Sequence, residues 1–446
     1  MTGIGQRQKR MARISKTCDT TNPMRGLVAA CAMVMLSGPA LAQAPAAGDG
    51  SAVAAEVKPK PRKPKPFVFV KSTLPVEMTD FAAQAKVLFR VAACGSDDAI
   101  PERFNAKAVD AHCRQMKALY TSYKRAWADQ AGKFIAAVRP ANLPKTVVYP
   151  FGGGDLTSAL VVYPDAQEIT TISLEAAGDA RVIESISKGQ LGADIATIGN
   201  DVRRLYRSAH STTKSLQAAS HSELPGTLMF AFAALAVHDM EPVAMKYFDI
   251  QPDGSLKYLT SGDLDKRAEE FAAAKHARKT SKHYWYEQDS PFSNVEIQFR
   301  PRGDAKAPVR TYRHIVANLD DSHMREDGRV LVHLRAKGKV AVITKAASFL
   351  LWYDDFSQIR DYLLKHMTWM ISDASGIPPS YAEPAGFEQI TYGTFGGPYF
   401  IKDTKNTRLE FVKMWRKQPK RPLPFRFGYP DQDKQHHLMI TRPKQA

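Results

Sequence analysis

Cysteine is scarce in this sequence, and the short motifs of several common enzyme classes are missing. Only four cysteines occur in 446 residues, and none of them form a C-x-x-C pair. No G-x-S-x-G is present, so an α/β-hydrolase nucleophile elbow has no support. H-E-x-x-H and a lysine following a glycine-rich turn are absent too, which removes support for zincin and P-loop chemistry. The chain therefore carries no recognisable catalytic signature.

Hydrophobic runs long enough to span a membrane are also missing. The longest run outside the N-terminus, residues 228–237, is well short of the roughly 20 residues required. Near the N-terminus, basic residues precede an apolar run at 26–36 and an A-x-A site formed by Ala40 and Ala42. This three-part pattern predicts a signal peptide over residues 1–42 and a periplasmic or secreted protein. A membrane anchor and a lipoprotein cysteine at Cys31 are the alternatives.

Negative charge is outnumbered by positive charge. The chain has 62 Lys and Arg against 45 Asp and Glu, a net charge of +17 that falls to +12 without residues 1–42. Residues 43–70 form a Pro/Lys-rich linker whose segment KPKPRKPKP cannot bury a core. We expect this linker to attract anionic cell-envelope groups, or to act only as a solubilising spacer. Nucleic acid is not an expected partner, because the chain is expected to be exported.

Two cysteines, Cys94 and Cys113, remain in the predicted mature chain. Apolar residues at helical spacing on either side of them predict a helical hairpin within residues 71–140. In an exported protein, a remaining pair of cysteines favours a disulfide over free thiols. The sequence therefore predicts a helical hairpin linked by a disulfide between Cys94 and Cys113, with two buried free thiols as the alternative.

The stretch TVVYPFGGGDLTSALVVYPDAQEITTISLE, residues 146–175, predicts a parallel strand pair joined by a helix. Apolar runs at 147–151 and 169–174 are the expected strands, and residues 152–155 are the expected turn. Strand, glycine turn, helix, strand and acid follow one another in the order of a Rossmann-type nucleotide-binding half.

The residues that would bind a nucleotide in this stretch are Gly152, Gly154, Asp155 and Glu175. The glycines would let the backbone approach the ligand, and Glu175 would hold a ribose hydroxyl. Thr157 stands where a third glycine belongs, so the motif is degenerate. It indicates the fold more strongly than the ligand, and no cofactor is expected.

Three further polar residues follow predicted strands and are candidates for catalysis. Asp320 and His323, in NLDDSH, have side chains suited to metal binding or acid–base chemistry. A polar loop with a capped helix is the alternative for this segment. Asp373, in SDASG, would converge with Asp155 and Asp320 if all three strands end at one edge of the sheet. No metal site is predicted.

The C-terminal region carries two predicted strand segments. PLPFRFGY, residues 422–429, and HHLMITR, residues 436–442, are expected to pair as a closing hairpin. His436 and His437 would face opposite sides of a strand, so they cannot chelate a metal together. Both are expected at the surface.

Four segments together resemble an exported bacterial family of unknown function. They are residues 149–179, 343–384, 392–398 and 422–429. The resemblance covers roughly residues 145–443 and implies a shared fold and export, but no established activity. A looser similarity is to Rossmann-type methyltransferase-like domains, which also end with a helix, a strand and a strand pair.

The order of elements predicts an α/β fold for residues 141–446, with a Rossmann-like, mostly parallel sheet and antiparallel additions. Two functional hypotheses follow. The first is an envelope protein that acts as a binding or structural module without a cofactor. The second is an enzyme with carboxylates at the sheet edge, either a metal-assisted hydrolase or a methyltransferase-like transferase. Export argues against the transferase, because methyl donors and nucleotide cofactors are cytosolic pools.

Overall fold

Ten strands form one sheet in the part of the chain that the structure, a computed structural model, describes. That part comprises residues 71–208, 222–277, 291–346, 349–397, 406–431 and 433–444. All of them belong to the unit Pro61–Ala446. The predicted signal peptide and linker, residues 1–42 and 43–70, lie outside the described residues.

The strands are numbered in chain order. They are β1 Thr146–Tyr149, β2 Glu168–Ser173, β3 Met240–Ile250, β4 Leu256–Tyr258, β5 Val295–Pro301, β6 Arg310–Val316, β7 Val340–Thr344, β8 Met367–Ser372, β9 Phe387–Gly393 and β10 His437–Pro443. Their order across the sheet is β4-β3-β5-β6-β2-β1-β7-β8-β10-β9.

The middle of the sheet is parallel and its two sides are antiparallel. Strands β6, β2, β1, β7 and β8 run in one direction. On one side β5, β3 and β4 add antiparallel pairs, and on the other β10 runs antiparallel to both β8 and β9. This confirms the predicted α/β class, with a mostly parallel centre and antiparallel additions.

The predicted strand pair around the glycine turn is confirmed. Strands β1 and β2 are parallel neighbours, with Thr146 opposite Glu168. Strand β1 ends at Tyr149, because Pro150 has no N–H to donate and Phe151 adopts a left-handed φ of 59°. The chain then crosses to β2 through a short helix, as the apolar spacing predicted.

Helices cover both faces of the sheet. They are α1 Ala82–Val91, α2 Ala106–Tyr123, α3 Asp129–Val138, α4 Leu156–Val162, α5 Val182–Ser185, α6 Lys188–Ser208, α7 Gly226–Val237, α8 Ser261–Ala277, α9 Asp321–Glu326, α10 Arg329–Ala336, α11 Ser357–His366, α12 Pro379–Ala382 and α13 Asn406–Lys417. A π-helical turn, Lys124–Ala128, joins α2 to α3. None of the helices in the described part of the chain is both long and apolar enough to cross a membrane.

Strand β1 shows why the parallel strands are apolar throughout. Val147 and Tyr149 face one hydrophobic cluster, which includes α1, α2, α3 and α7, whereas Val148 faces a second cluster with α10 and α11. Consecutive residues of a strand point to opposite faces, and both faces are covered here. Strand β7 is likewise buried at every position.

The N-terminal helices share a core with the sheet. Phe81, immediately before α1, is fully buried, and its N–H donates to the Met245 carbonyl of β3 at 2.7 Å. The predicted disulfide is present: the α-carbons of Cys94 and Cys113 lie 5.2 Å apart. It ties the segment after α1 to the second turn of α2. These helices thus pack on the main sheet as well as being linked to each other.

The predicted C-terminal hairpin is wrong. Strand β10 pairs with β8 and β9, and residues 422–429 form no strand. Pro422 and Pro424 cannot donate to a strand ladder, which disfavours pairing there. Instead Phe425 and Phe427 are buried in the main hydrophobic cluster.

The surface expectation for His437 is also wrong. Its side chain is 1% exposed and its ring lies 4.6 Å from that of Phe395 and 5.5 Å from that of Trp415, centroid to centroid. Burial lowers the pKa of His437 to about 3, with Asp431 opposing the shift. His436 is half-buried. The aromatic cluster around His437 is contributed by elements distant in sequence, which the local pattern cannot reveal.

We expect loss of the disulfide to destabilise the fold. It closes a loop with a sequence separation of 19 residues, and restraining the unfolded chain over such a loop stabilises by about 3 kcal/mol. The Cys94→Ser/Cys113→Ser variant should therefore lose about this free energy of unfolding in a denaturant titration. Reduction of the wild-type protein should cause a comparable loss. An unchanged denaturation midpoint would contradict the stabilising role.

We expect His437 to make the fold sensitive to acid. Its pKa is about 3 when folded and about 6.5 when unfolded, so the unfolded chain binds the proton more readily. The contribution to stability is complete above pH 6.5 and is lost as the pH falls towards 3. At pH 5 the wild-type protein should have lost about 2 kcal/mol more, relative to pH 8, than His437→Gln. Parallel pH profiles of the two denaturation midpoints would contradict this.

Candidate functional site

The turn after β1 places Asp155 at the carboxyl edge of the parallel strands. Phe151 and Gly153 have φ angles of 59° and 52°, which turn the chain sharply. Asp155 then caps α4, because its Oδ1 accepts from the Ser158 N–H at 3.2 Å. The edge lies where the strand order reverses between β1 and β7, which is where ligand crevices form in open α/β sheets.

The glycines of this turn allow close packing of the protein on itself. A β-carbon on Gly154 would lie 2.9 Å from the Phe230 β-carbon of α7, and one on Gly152 would lie 2.6 Å from the Tyr149 ring. Both distances are shorter than a side chain tolerates. The need for glycine at these two positions is therefore explained by protein contacts alone.

A buried ion pair links the ends of β1 and β7. Lys345 follows β7 directly, and its Nζ lies 2.9 Å from Asp155 Oδ2, with only 2% and 5% of the two side chains exposed. The Tyr149 hydroxyl donates to the same Oδ2 at 3.0 Å, and Lys345 donates to Ser158 Oγ at 2.5 Å. Burial raises the pKa of the Tyr149 hydroxyl, and the Asp155 charge adds to the shift. The hydroxyl therefore stays protonated and able to donate.

Aromatic residues, including Trp127 of the π-helical turn, cover this pair. The Trp127 ring centroid lies 5.3 Å from Lys345 Nζ, and the Phe427 centroid lies 5.9 Å away on the C-terminal segment. The Trp127 Nε1–H donates to the Arg426 carbonyl at 2.5 Å, which holds the ring in place. Tyr123 stacks on Trp127 with 5.5 Å between centroids. Short π-helical insertions often occur at functional sites, because they redirect side chains locally.

A small cavity lies between the ion pair and the aromatic residues. Its lining residues are Tyr123, Trp127, Asp155, Thr157, Ser158, Leu205, Tyr206 and Lys345. It has about 10 Å³ of space for a water-sized molecule, and about this volume is needed to hold one water. In this arrangement the cavity suits a single water better than an organic ligand.

Glu175 lies just beyond β2 and is 9% exposed. Its carboxylate Oε1 is buried without a hydrogen-bond partner among the residues described. Its main-chain carbonyl accepts from His314 Nε2 at 2.7 Å, and burial lowers the pKa of His314. A buried carboxylate oxygen without a partner is costly. This is the one predicted nucleotide-binding residue whose side chain retains unused hydrogen-bonding capacity.

Asp373 lies just after β8 and organises the loops around it. Its Oδ2 accepts from the Ala346 N–H at 3.0 Å and the Tyr429 N–H at 3.2 Å, and its Oδ1 accepts from the Ser375 N–H at 2.8 Å. Burial raises the pKa of Asp373, against the effect of the Ser375 hydrogen bonds. This carboxylate thereby connects the segments that follow β7 and β8 to the one that precedes β10.

Asp320 and His323 form a helix cap. The Asp320 Oδ1 accepts from the N–H groups of Ser322 and His323, each at 3.0 Å, at the start of α9. His323 Nδ1 lies 2.8 Å from Asp320 Oδ2. Partial burial works to raise the pKa of Asp320, but the hydrogen bonds from Ser322 and His323 outweigh it and lower that pKa. The geometry is that of the capped helix considered as the alternative for this segment.

The candidate carboxylates share the carboxyl edge of the sheet but have separate partners. Asp155 pairs with Lys345, Asp320 with His323, and Asp373 with backbone N–H groups. Across the described ranges, no group of three or more His, Cys, Asp or Glu side chains is arranged to hold a metal ion.

Sequence reasoning missed the central residue of this cluster, Lys345. The available signal was its place directly after the apolar run VAVIT, residues 340–344, since strand ends in such sheets face ligand crevices. Trp127 lies within the predicted helical hairpin, residues 71–140, and the sequence pattern predicts no functional role for it. Comparison of the chain with known protein families matches no family model, and comparison with curated proteins gives no match.

We expect the buried ion pair to be essential to stability. Lys345→Met leaves the Asp155 carboxylate buried without its cation, which should cost about 3–5 kcal/mol of unfolding free energy. The double variant Lys345→Met/Asp155→Asn should lose less than the sum of the two single variants. Lys86→Met, at an exposed position, serves as the control in the same denaturant titrations. Equal losses in Lys345→Met and Lys86→Met would refute a stabilising role of the pair.

Proposed function

We propose that this chain is an exported envelope protein that acts as a binding or structural module on a degenerate Rossmann-like scaffold. The strand order supports the scaffold. Numbered by their sequence order, the five parallel strands β6, β2, β1, β7 and β8 follow the order 3-2-1-4-5, which is that of doubly wound nucleotide-binding sheets. The closing pair β10 and β9 is also consistent with the ending of methyltransferase-like domains.

The observation that carries the proposal is the filling of the carboxyl edge at the switch point. Lys345 and Asp155 satisfy each other there, and Trp127 packs over them. The space left between them is about 10 Å³, whereas pockets for drug-sized ligands and cofactors measure roughly 300–1,000 Å³. Among the described residues, the side chains around this pair thus leave room for about one water and not for a cofactor.

The disulfide supports export. Cys94 and Cys113 are joined, and structural disulfides persist mainly in oxidising compartments such as the periplasm. Together with the pattern in residues 1–42, this favours a periplasmic or secreted protein. The basic linker, residues 43–70, would then face anionic envelope components.

Glu175 favours the second hypothesis, a carboxylate-dependent enzyme. It follows β2 at the position where an acid binds ribose in nucleotide-binding sheets, and its Oε1 has no hydrogen-bond partner within the described part of the chain. A ligand hydroxyl would supply that partner. Of the enzymes considered, this observation fits a methyltransferase-like transferase better than a metal-assisted hydrolase.

Calorimetric titration separates these two hypotheses. The filled edge predicts no micromolar binding of S-adenosylmethionine or NAD to the wild-type protein. Glu175→Ala should be at least as stable as the wild type in thermal unfolding, because it removes an unpartnered buried oxygen. Micromolar binding of either ligand, lost in Glu175→Ala but kept in the exposed control Glu77→Ala, would overturn the scaffold proposal and favour the enzyme.

A further inference from the structure

The C-terminal helix α13 presents an exposed basic surface. Lys413, Arg416, Lys417 and Lys420 are all exposed and follow the spacing i, i+3, i+4 and i+7. On a helix, residues at i, i+3 and i+4 lie along one side. The helix ends at Lys417, and Lys420 lies in the segment that follows it, after Pro419. We call these four residues the basic face.

The basic face has no neutralising partners among the residues described. None of its four side chains forms an ion pair with a described acidic residue, whereas many other cations of this part of the chain do. The nearby Glu410 accepts from the Ser380 N–H instead. Cations near a helix C-terminus interact favourably with the helix dipole. That effect accounts for Arg416 and Lys417 in the last turn, but not for Lys413.

An exposed leucine distinguishes this surface from a purely solvating one. Leu409 lies one helical turn before Lys413, and 44% of it is exposed. An exposed apolar side chain beside cations can enter the interfacial region of an anionic membrane, where apolar burial adds to electrostatic attraction. A soluble polyanion would gain from the cations but not from the leucine.

The helix is fixed to the fold on its opposite side. Phe411 stacks on Trp352 with 4.7 Å between ring centroids, and the Trp415 Nε1–H donates to the Tyr392 carbonyl at 3.2 Å. Both Phe411 and Trp415 are buried. The cations are therefore presented by a packed element, so that binding need not order the backbone first.

We infer that the basic face and Leu409 dock the protein on a lipid surface rich in anionic phosphate headgroups. This interaction site does not include the Asp155–Lys345 pair and does not depend on the function proposed for the carboxyl edge. It also does not include the cations of residues 43–70. Each cation held near an anionic membrane contributes to attraction, and the contributions of several cations accumulate.

The test is co-sedimentation with phosphatidylcholine vesicles that contain or lack phosphatidylglycerol. The background is residues 43–446, the chain left after removal of the predicted signal peptide, with the linker cations Lys58, Lys60, Arg62, Lys63 and Lys65 changed to Gln, so that neither the basic N-terminal region nor the linker contributes. In this background the protein should bind the anionic vesicles and not the neutral ones. Absence of binding to anionic vesicles would overturn the inference, whatever the result of the nucleotide titrations.

Two matched variants locate the surface. The first changes all four cations of the basic face to Gln, and should weaken vesicle binding at least roughly ten-fold. The second changes the exposed residues Lys86, Lys107, Arg114 and Lys188 to Gln, which removes the same charge elsewhere. It should bind within roughly two-fold of the background. Equal losses in the two variants would show that net charge alone attracts the protein, and would overturn the assignment.

Leu409→Ser distinguishes a lipid surface from a soluble polyanion. It should weaken vesicle binding most at high salt, where electrostatic attraction is screened. It should leave binding of inorganic polyphosphate unchanged. If polyphosphate binds as tightly as the vesicles and Leu409→Ser affects neither, the partner is a soluble polyanion and the lipid inference is wrong. Thermal unfolding of every variant should stay close to that of the background, because all the altered side chains are exposed and interactions of surface charges with the helix dipole are weak.

Discussion

The buried pair of Asp155 and Lys345 imposes the constraint on which the carboxyl edge of this sheet depends. Removing two charges from water costs several kcal/mol for each ion, and only good geometry with further hydrogen bonds offsets that cost. Tyr149 and Ser158 supply those hydrogen bonds. Trp127 covers the ammonium and limits the entry of water. Neighbouring segments must therefore be positioned accurately enough to exclude bulk water and keep the pair fully bonded.

This requirement connects parts of the chain that are far apart in sequence. The glycine turn brings Asp155 close to α7, and β7 places Lys345 beside it. The N-terminal helices contribute Trp127, whose ring is held by the Arg426 carbonyl near the C-terminus. The carboxyl edge is thus closed by contributions from the beginning, middle and end of the described chain. In sheets with this strand order, the carboxyl edge commonly forms a ligand crevice. In this protein the same edge is packed with side chains of the protein itself.

Glu175 and the basic face of α13 depart from the rule that polar groups find partners inside the protein. The Glu175 Oε1 is buried with no partner in the described structure, whereas the four cations are exposed and form no ion pair with an acidic residue of the described ranges. The energetic meaning differs, because a buried unpaired oxygen is costly while exposed cations are well solvated. The Glu175 oxygen lacks a hydrogen-bond donor among the described residues. The basic face carries positive charge that an external anionic surface would complement.

Sequence patterns were sufficient to predict the elements whose cause is local. Apolar runs and glycines predicted β1, β2 and their crossover, because strand burial and chain reversal depend on nearby residues. The predicted export and the presence of two cysteines in the predicted mature chain led to the prediction of the Cys94–Cys113 disulfide, which the structure contains. The folded structure was needed to show that β10 pairs with β8 and β9, that His437 is buried, and that Lys345 pairs with Asp155. These outcomes depend on which distant segments become neighbours, and hydrophobic periodicity along the chain carries no information about that choice.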